Sequence, residues 1–320
     1  MRASTGTAVS IGRAVASPGA IYRGSSHWLG WFDRHFAMAT VSPAIIVSLL
    51  VFGLPLAFSL WISFQGWSIQ QSLLGGRFVA LQNYADLFAD PAFVASIWRT
   101  FIYTGVTVAA ELGFGLAIAM LLNLDLPFIG IFRTALIVPM MMTPIVAALC
   151  WKMLLDPQYG IIDYLIGSPI VWLGHPRLAF MSVALVNIWQ NAPYVSILLL
   201  AGLRSLPQQP FEAAALDGVP RLFVFYRITL PMLSPYIITA SLFRVLDAIQ
   251  QFDIIYAMTQ GGPGNTLLVF QVRAYLEFYQ YTNVGKSAAL LVVLWAITYV
   301  LSNVFIKNWL RLRERSRATA

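Results

Sequence analysis

Pro210-Phe211-Glu212-Ala213-Ala214-Ala215-Leu216-Asp217-Gly218, then Val219 to Arg227, then Ile228-Thr229-Leu230-Pro231, stand between two long apolar runs. Proline suits the first position of a helix, and the alanine run that follows is strongly helix-forming. Gly218 can end that helix, and Asp217-Gly218 followed by Pro220 can start another. The stretch predicts a helix–turn–helix lying along one face of a membrane between two crossings. A loop that merely connects the crossings is the plainer reading of the same residues.

The runs on either side extend a pattern that fills the chain. Of 320 residues, 59% are apolar and 10% charged. A soluble domain carries about 25% charged residues. A crossing helix needs about 20 apolar residues. Six segments qualify: Phe36–Phe64, Trp98–Leu122, Thr134–Leu155, Leu178–Leu203, Met232–Met258 and Ser287–Ile306. The first is too long for a signal-peptide core and lacks a small-residue cleavage pattern, so it reads as an uncleaved anchor. The fold class expected is an all-α membrane protein of six transmembrane helices.

The net charge of +7 comes from basic clusters interleaved with these runs, which read as orientation signals rather than a nucleic-acid surface. With six crossings, one side holds Arg2, Arg13, Arg23, Arg34, Arg133, Arg204, Arg221, Arg227, Lys307, Arg311, Arg313, Arg315 and Arg317. The other holds Arg77, Arg99, Lys152, Arg177, Arg273 and Lys286, and Arg244 remains inside a span. Thirteen against six places both termini in the cytoplasm. The expected organisation is a loose N-terminal segment at 1–35, a transmembrane domain at 36–306 with a cytoplasmic loop at 204–231, and a basic tail at 307–320. The single cysteine, Cys150, lies in an apolar run and reads as a small apolar residue.

Enzyme signatures are imitated but incomplete. Gly285-Lys286-Ser287 resembles the end of a P-loop, yet Gln280 stands where its first glycine belongs and no soluble strand precedes it. Ser72-Leu73-Leu74-Gly75-Gly76 faintly echoes an ATP-binding-cassette signature on the side away from ATP. His27, His35 and His175 are scattered, so neither a metal cluster nor a catalytic triad is expected.

The quoted loop resembles the EAA motif of ABC importer permeases: Glu-Ala-Ala, three residues, Gly, nine residues, Ile, one residue, Leu-Pro. Each element has its counterpart in register, from Glu212 through Gly218 to Ile228 and Leu230-Pro231. The resemblance implies a type I ABC importer permease fold, with Glu212, Ala213, Ala214, Asp217 and Gly218 on the coupling helix that docks on a cytoplasmic ATPase. Leu81-Gln82-Asn83-Tyr84, Asp156-Pro157-Gln158-Tyr159-Gly160 and Thr259-Gln260-Gly261-Gly262-Pro263 are similar to segments of carbohydrate permeases of the maltose, trehalose and glycerol-phosphate type.

Polar groups inside a membrane are costly and face a bundle interior or a wet cavity. Asn187, Gln190, Asn191 and Tyr194 share one helical stripe, and Arg244, Asp247, Ala248 and Gln251 share another. Either set could simply stitch helices together, and Arg244 and Asp247 could neutralise each other. The resemblance implies that these eight residues bind substrate, because they coincide with the sugar-contacting positions of maltose-type permeases. Asn187 and Tyr194 fit a sugar site directly; Arg244, Asp247 and Ala248 depart from the maltose pattern and leave the sugar open. Tyr194 or Trp189 could cover an apolar sugar face, and Arg244 could bind an anionic sugar. Asp253 reads as a gate or rim residue, and Glu111 as a helix-packing partner.

The function implied is the permease subunit of a bacterial inner-membrane importer for a di- or oligosaccharide, working by alternating access. Its implied partners are a second homologous permease, two ATPase subunits that bind ATP and magnesium, and an extracytoplasmic solute-binding protein. This chain is expected to hold no cofactor and to hydrolyse nothing. A permease of the same superfamily for another solute is the alternative, as is an ion-coupled secondary transporter, which would leave the loop unexplained.

Overall fold

The computed structural model describes residues 36, 38, 40–72, 75–124 and 127–318. The N-terminal segment 1–35, with four of the orienting arginines and two of the histidines, lies outside the described residues, as do Leu73-Leu74 of the signature-like string and 319–320 of the tail. The chain divides into two compact units, Met1–Phe58 and Ser59–Ala320. A first helix, α1, spans Thr40–Ser63, and its part up to Phe58 makes up the described body of the first unit.

The second unit is almost wholly helical. A two-residue antiparallel pair, β1 (Gln65–Gly66) and β2 (Arg77–Phe78), sets Gln65 opposite Phe78. Then come α2 (Gln82–Ala89), α3 (Pro91–Leu122), α4 (Ile129–Met141), α5 (Pro144–Leu154), α6 (Ile161–Ile166), α7 (Pro176–Arg204) and α8 (Gln209–Leu216). They are followed by α9 (Arg221–Ala248), α10 (Asp253–Thr259), α11 (Phe270–Tyr279) and α12 (Val284–Ala318). Five helices, α1, α3, α7, α9 and α12, are long and apolar enough to cross a membrane, and α4 with α5 makes a sixth crossing if the bent pair counts as one.

That pair departs from the straight third span expected at Thr134–Leu155. α4 and α5 meet at 100°. Proline disfavours the helical region for the residue before it, and Thr143, ahead of Pro144, is extended at φ −66°, ψ 141°. The fifth span also differs. It ends at Ala248 instead of continuing to Met258, closing on a bond from Gln251 N–H to Ala248 O, so that Asp253 begins a separate helix. Its apolar count ran on because Ile249, Ile254 and Ile255, on either side of the turn, are all buried.

The core centres on α3 against α7. A methyl group at Gly115 would lie 2.5 Å from Val195 Cγ1, so only glycine permits this approach. Below it Ala119, Val195, Leu199, Leu233 and Ala240 form one buried cluster; Tyr103, Val183, Val186, Ile254 and Leu267 form another.

Candidate functional site: a polar cleft and an exposed helical loop

Between the α4–α5 break, α7, and the end of α9 with α10 lies a cleft of about 570 Å³. Gln190, Asn191, Asp247, Gln250, Gln251 and Asp253 supply its polar wall, and Met142, Phe243 and Phe252 part of its apolar wall.

The α7 stripe is tied into the frame at each turn. Asn187 is buried, and its Nδ2 donates to Tyr103 Oη at 3.0 Å. Asn191 Nδ2 donates to Asn187 Oδ1 at 2.5 Å and to its carbonyl at 3.0 Å. Gln190 Nε2 donates to Met142 O at 2.8 Å, capping a carbonyl left at the helix break, and that bond fixes the amide orientation. Gln190 Oε1 is buried without a partner among the described residues. Tyr194, a turn further on, is half-buried against the Ala119–Leu199 cluster and does not line the cleft.

The α9 stripe holds a charge cluster. Arg244 Nε donates to Glu111 Oε2 at 2.7 Å and Nη2 to Oε1 at 3.1 Å, a bidentate pair joining α9 to α3. Nη1 donates to Asp247 Oδ2 at 2.6 Å. Side-chain exposure separates the roles: 0% for Glu111, 5% for Arg244 and 62% for Asp247. A buried guanidinium must be paired. Glu111 meets that demand from within, which leaves Asp247 facing the cleft. Ala248 is buried behind the wall and Gln251 is part of it.

Of the eight expected substrate residues, Gln190, Asn191, Asp247 and Gln251 therefore line the cleft; Asn187 and Arg244 bond to Asn191 and Asp247 of its wall, Ala248 is buried, and Tyr194 packs elsewhere. Asp253 is also in the wall. Gln250 and Phe252 were missed, since a straight helix would have carried them off the stripe. Trp189 packs on Trp151, with ring centroids 5.5 Å apart, in a second and larger groove of about 1200 Å³. That groove is almost wholly apolar, with Ile102, Phe132, Phe180 and Leu185 in its walls and, among the described residues, Arg177 and Thr266 as its polar lining. A third cleft, of about 730 Å³, has Gln260, Arg273, Glu277 and Gln280 in its wall but none of the expected substrate residues; the 570 Å³ cleft, which gathers four of them, is the candidate site.

The loop quoted at the outset forms α8 with Pro210 in its first turn. Val219 N–H bonds to Ala214 O at 3.0 Å and Gly218 N–H to Ala215 O at 3.2 Å, with Gly218 at φ +65°. This is the Schellman closure, and it needs a left-handed residue where glycine stands. The second helix is not separate as expected: α9 starts at Arg221 and runs through Pro231, with a π turn at Phe225–Thr229. Proline has no N–H for the ordinary bond, and the chain widens by one residue just before it. Glu212, Ala213, Asp217 and Gly218 are exposed, Ala214 is buried, and Leu216, Leu222, Phe223 and Tyr226 add exposed apolar surface.

Residues of the P-loop-like string have structural partners. Lys286 Nζ lies 3.3 Å from Asp86 Oδ2, and Ser287 Oγ donates to Ala274 O at 2.7 Å. Nearby, Asp90 caps α3 by accepting from Ala92 N–H at 2.8 Å and pairs with Arg273. Partial burial pushes the Asp90 carboxyl up, but the Ala92 N–H and Arg273 outweigh it and hold its pKa below the usual carboxylate value.

A family model described as binding-protein-dependent transport system inner membrane component matches residues 92–317. A probable ABC transporter permease protein of Sinorhizobium fredii is 38% identical over 252 residues, covering 78% of this chain and 81% of the relative. The sulfoquinovosyl glycerol transport system permease protein SmoG of Agrobacterium fabrum is 31% identical over 286 residues, 88% of this chain and 92% of its own length. The trehalose/maltose transport system permease protein MalF of Thermococcus litoralis is 31% identical over 272 residues, 83% and 91%. Among solved structures, a chain of a bacterial ABC transporter involved in the import of the acidic polysaccharide alginate superposes with a TM-score of 0.75 at 19% identity, over 89% of this chain and 99% of that one.

Proposed function

The chain belongs to the family of binding-protein-dependent transport system inner membrane components, and from that premise we propose that it is the permease subunit of an ABC importer for a di- or oligosaccharide. Membership makes it a multi-pass transport subunit and not an enzyme. The observation that carries the carbohydrate reading is the cleft. Four amides and two carboxylates converge on about 570 Å³ beside Phe252, a mix of donors and acceptors suited to hydroxyl groups. Relatives named for trehalose, maltose and sulfoquinovosyl glycerol transport point the same way.

In this reading Gln190, Asn191, Asp247 and Gln251 touch the sugar, Asn187 and Arg244 hold Asn191 and Asp247 in place, and Tyr194 and Ala248 do not contact it. The α8 loop faces the cytoplasm with both termini and docks through Glu212, Ala213, Ala214, Asp217 and Gly218 on an ATPase. The working assembly adds a second homologous permease, two ATPases that bind ATP and magnesium, and an extracytoplasmic binding protein. ATP closure and the loaded binding protein bias the permease pair outward, and hydrolysis returns it inward. The test is to purify the cognate binding protein, identify its bound ligand, and measure ATP-dependent uptake of that ligand by the reconstituted assembly. A carbohydrate taken up only with this permease present is the expected result; an amino acid or an ion as sole cargo refutes the reading.

A further inference from the structure

Resting on the carbohydrate reading, we infer that the cleft is built for an uncharged, hydroxyl-rich sugar and disfavours acidic ones. The relatives named above stand on both sides of this division, one named for a sulfonated solute and another for trehalose and maltose. The cation that would recognise an acidic group is Arg244, and it is already engaged. Its Nε and Nη2 serve Glu111 and its Nη1 serves Asp247, and the side chain is 5% exposed and outside the cleft wall.

Among the described residues, the wall contains no Lys, Arg or His. Its charged side chains are Asp247 and Asp253. Arg244 contacts two carboxylates, Glu111 and Asp247, so the three side chains carry a formal excess of one negative charge. The excess faces the cleft through Asp247, whose Oδ1 has no partner among the described residues. Recognition of a carboxylate, sulfonate or phosphate needs converging cationic N–H donors. Here such a group would meet two like charges. A hydroxyl finds what it needs: an acceptor at Asp247, and a donor and acceptor together in the Gln251 amide. Glu111 is thus a specificity-determining residue that never touches the sugar, because it removes Arg244 from the site.

Two measurements on the assembled transporter test this. The first places a reporter thiol in the cleft with Gln250→Cys, in a background where Cys150→Ala removes the one native cysteine of this chain and the partners carry none. Cationic and anionic methanethiosulfonates are compared, each normalised to its rate with a free small thiol. The anionic reagent should react about tenfold more slowly, the order expected for like charge across a partly wet cleft, and Asp247→Asn should narrow the gap severalfold. Equal rates, or a faster anionic reagent, overturn the inference. The second is uptake of a neutral disaccharide against its uronic-acid counterpart, with the binding protein supplied, and it decides the matter even if the cysteine variant fails to assemble. Import of the neutral sugar at more than tenfold the acidic rate is expected. Comparable or preferential import of the acid overturns the inference and leaves the carbohydrate reading standing. Import of neither overturns both.

Discussion

Removing Glu111 should damage this protein far more than removing Asp247, although both bond the same guanidinium. Glu111→Ala deletes two hydrogen bonds and the fully buried counter-charge, leaving Arg244, 5% exposed, with one partner at the cleft edge. Breaking a buried pair from one side costs about 3–5 kcal/mol. Asp247→Ala leaves the bidentate pair with Glu111 intact and removes an i, i+3 contact whose acid is 62% exposed, worth under about 1 kcal/mol. Replacing both Glu111 and Arg244 by Leu should recover most of the loss, since apolar substitution of a whole buried pair is often neutral. The assay is thermal survival of the purified assembly, followed by fluorescence-detected gel filtration, with uptake measured in parallel. Glu111→Ala should lose the assembly at markedly lower temperature. Asp247→Ala should survive like the parent while its uptake falls. Equal damage from the two single substitutions would show that Arg244 depends on Asp247, and the division between supporting and contacting residues would fail.

Gly218→Val forces a β-branched residue to φ +65° on an exposed loop; uptake should drop several-fold and ATPase stimulation with it, while membrane insertion, read by protease protection, stays normal. Gly115→Leu places atoms where Val195 Cγ1 already lies 2.5 Å from a mere methyl, so α3 and α7 must separate at about 1–3 kcal/mol or more, seen as reduced yield of intact assembly. The Asp90–Arg273 pair contributes stability that is fully present above the ordinary value of 3.8 and is lost as pH falls through the lower folded value. Acid titration of thermal survival should therefore show an acid-side loss that Asp90→Asn abolishes.

Most of the architecture was legible because crossing a membrane demands long apolar runs, and α1, α3, α7 and α12 are such runs. The break between α4 and α5 was signalled by Thr143-Pro144, but hydropathy averages across a bend and says nothing of direction. The end of α9 was hidden for a related reason, since buried isoleucines continue on both sides of the turn. In the cleft, the stripe on α7 could be read from helical spacing alone, yet spacing could not tell wall from support. Which of Asn187, Gln190 and Asn191 reaches open space depends on Tyr103 and Met142, residues far away in the chain. Glu111 and Arg244 stand 133 positions apart. The expense of an intramembrane charge says that each requires a partner, but no local pattern says which one.

The break in the third crossing also dictates where water goes. At ~1.5 Å per residue, α4 with its 13 residues and α5 with its 11 reach about 20 Å and about 17 Å, and neither alone clears a hydrocarbon layer of about 30 Å. Where the bent pair serves as one crossing, the polypeptide turns at a depth where bare peptide groups are tolerated only against protein or in an aqueous pocket. Gln190 supplies protein to one of them, at Met142. In the proposed reading, the side of the turn that opens on the cleft belongs to the solvent, and a translocation path through it is hydrated at this point. A sugar taking that path would trade one set of aqueous hydrogen bonds for a set from the wall and would never have to shed its hydration into oil.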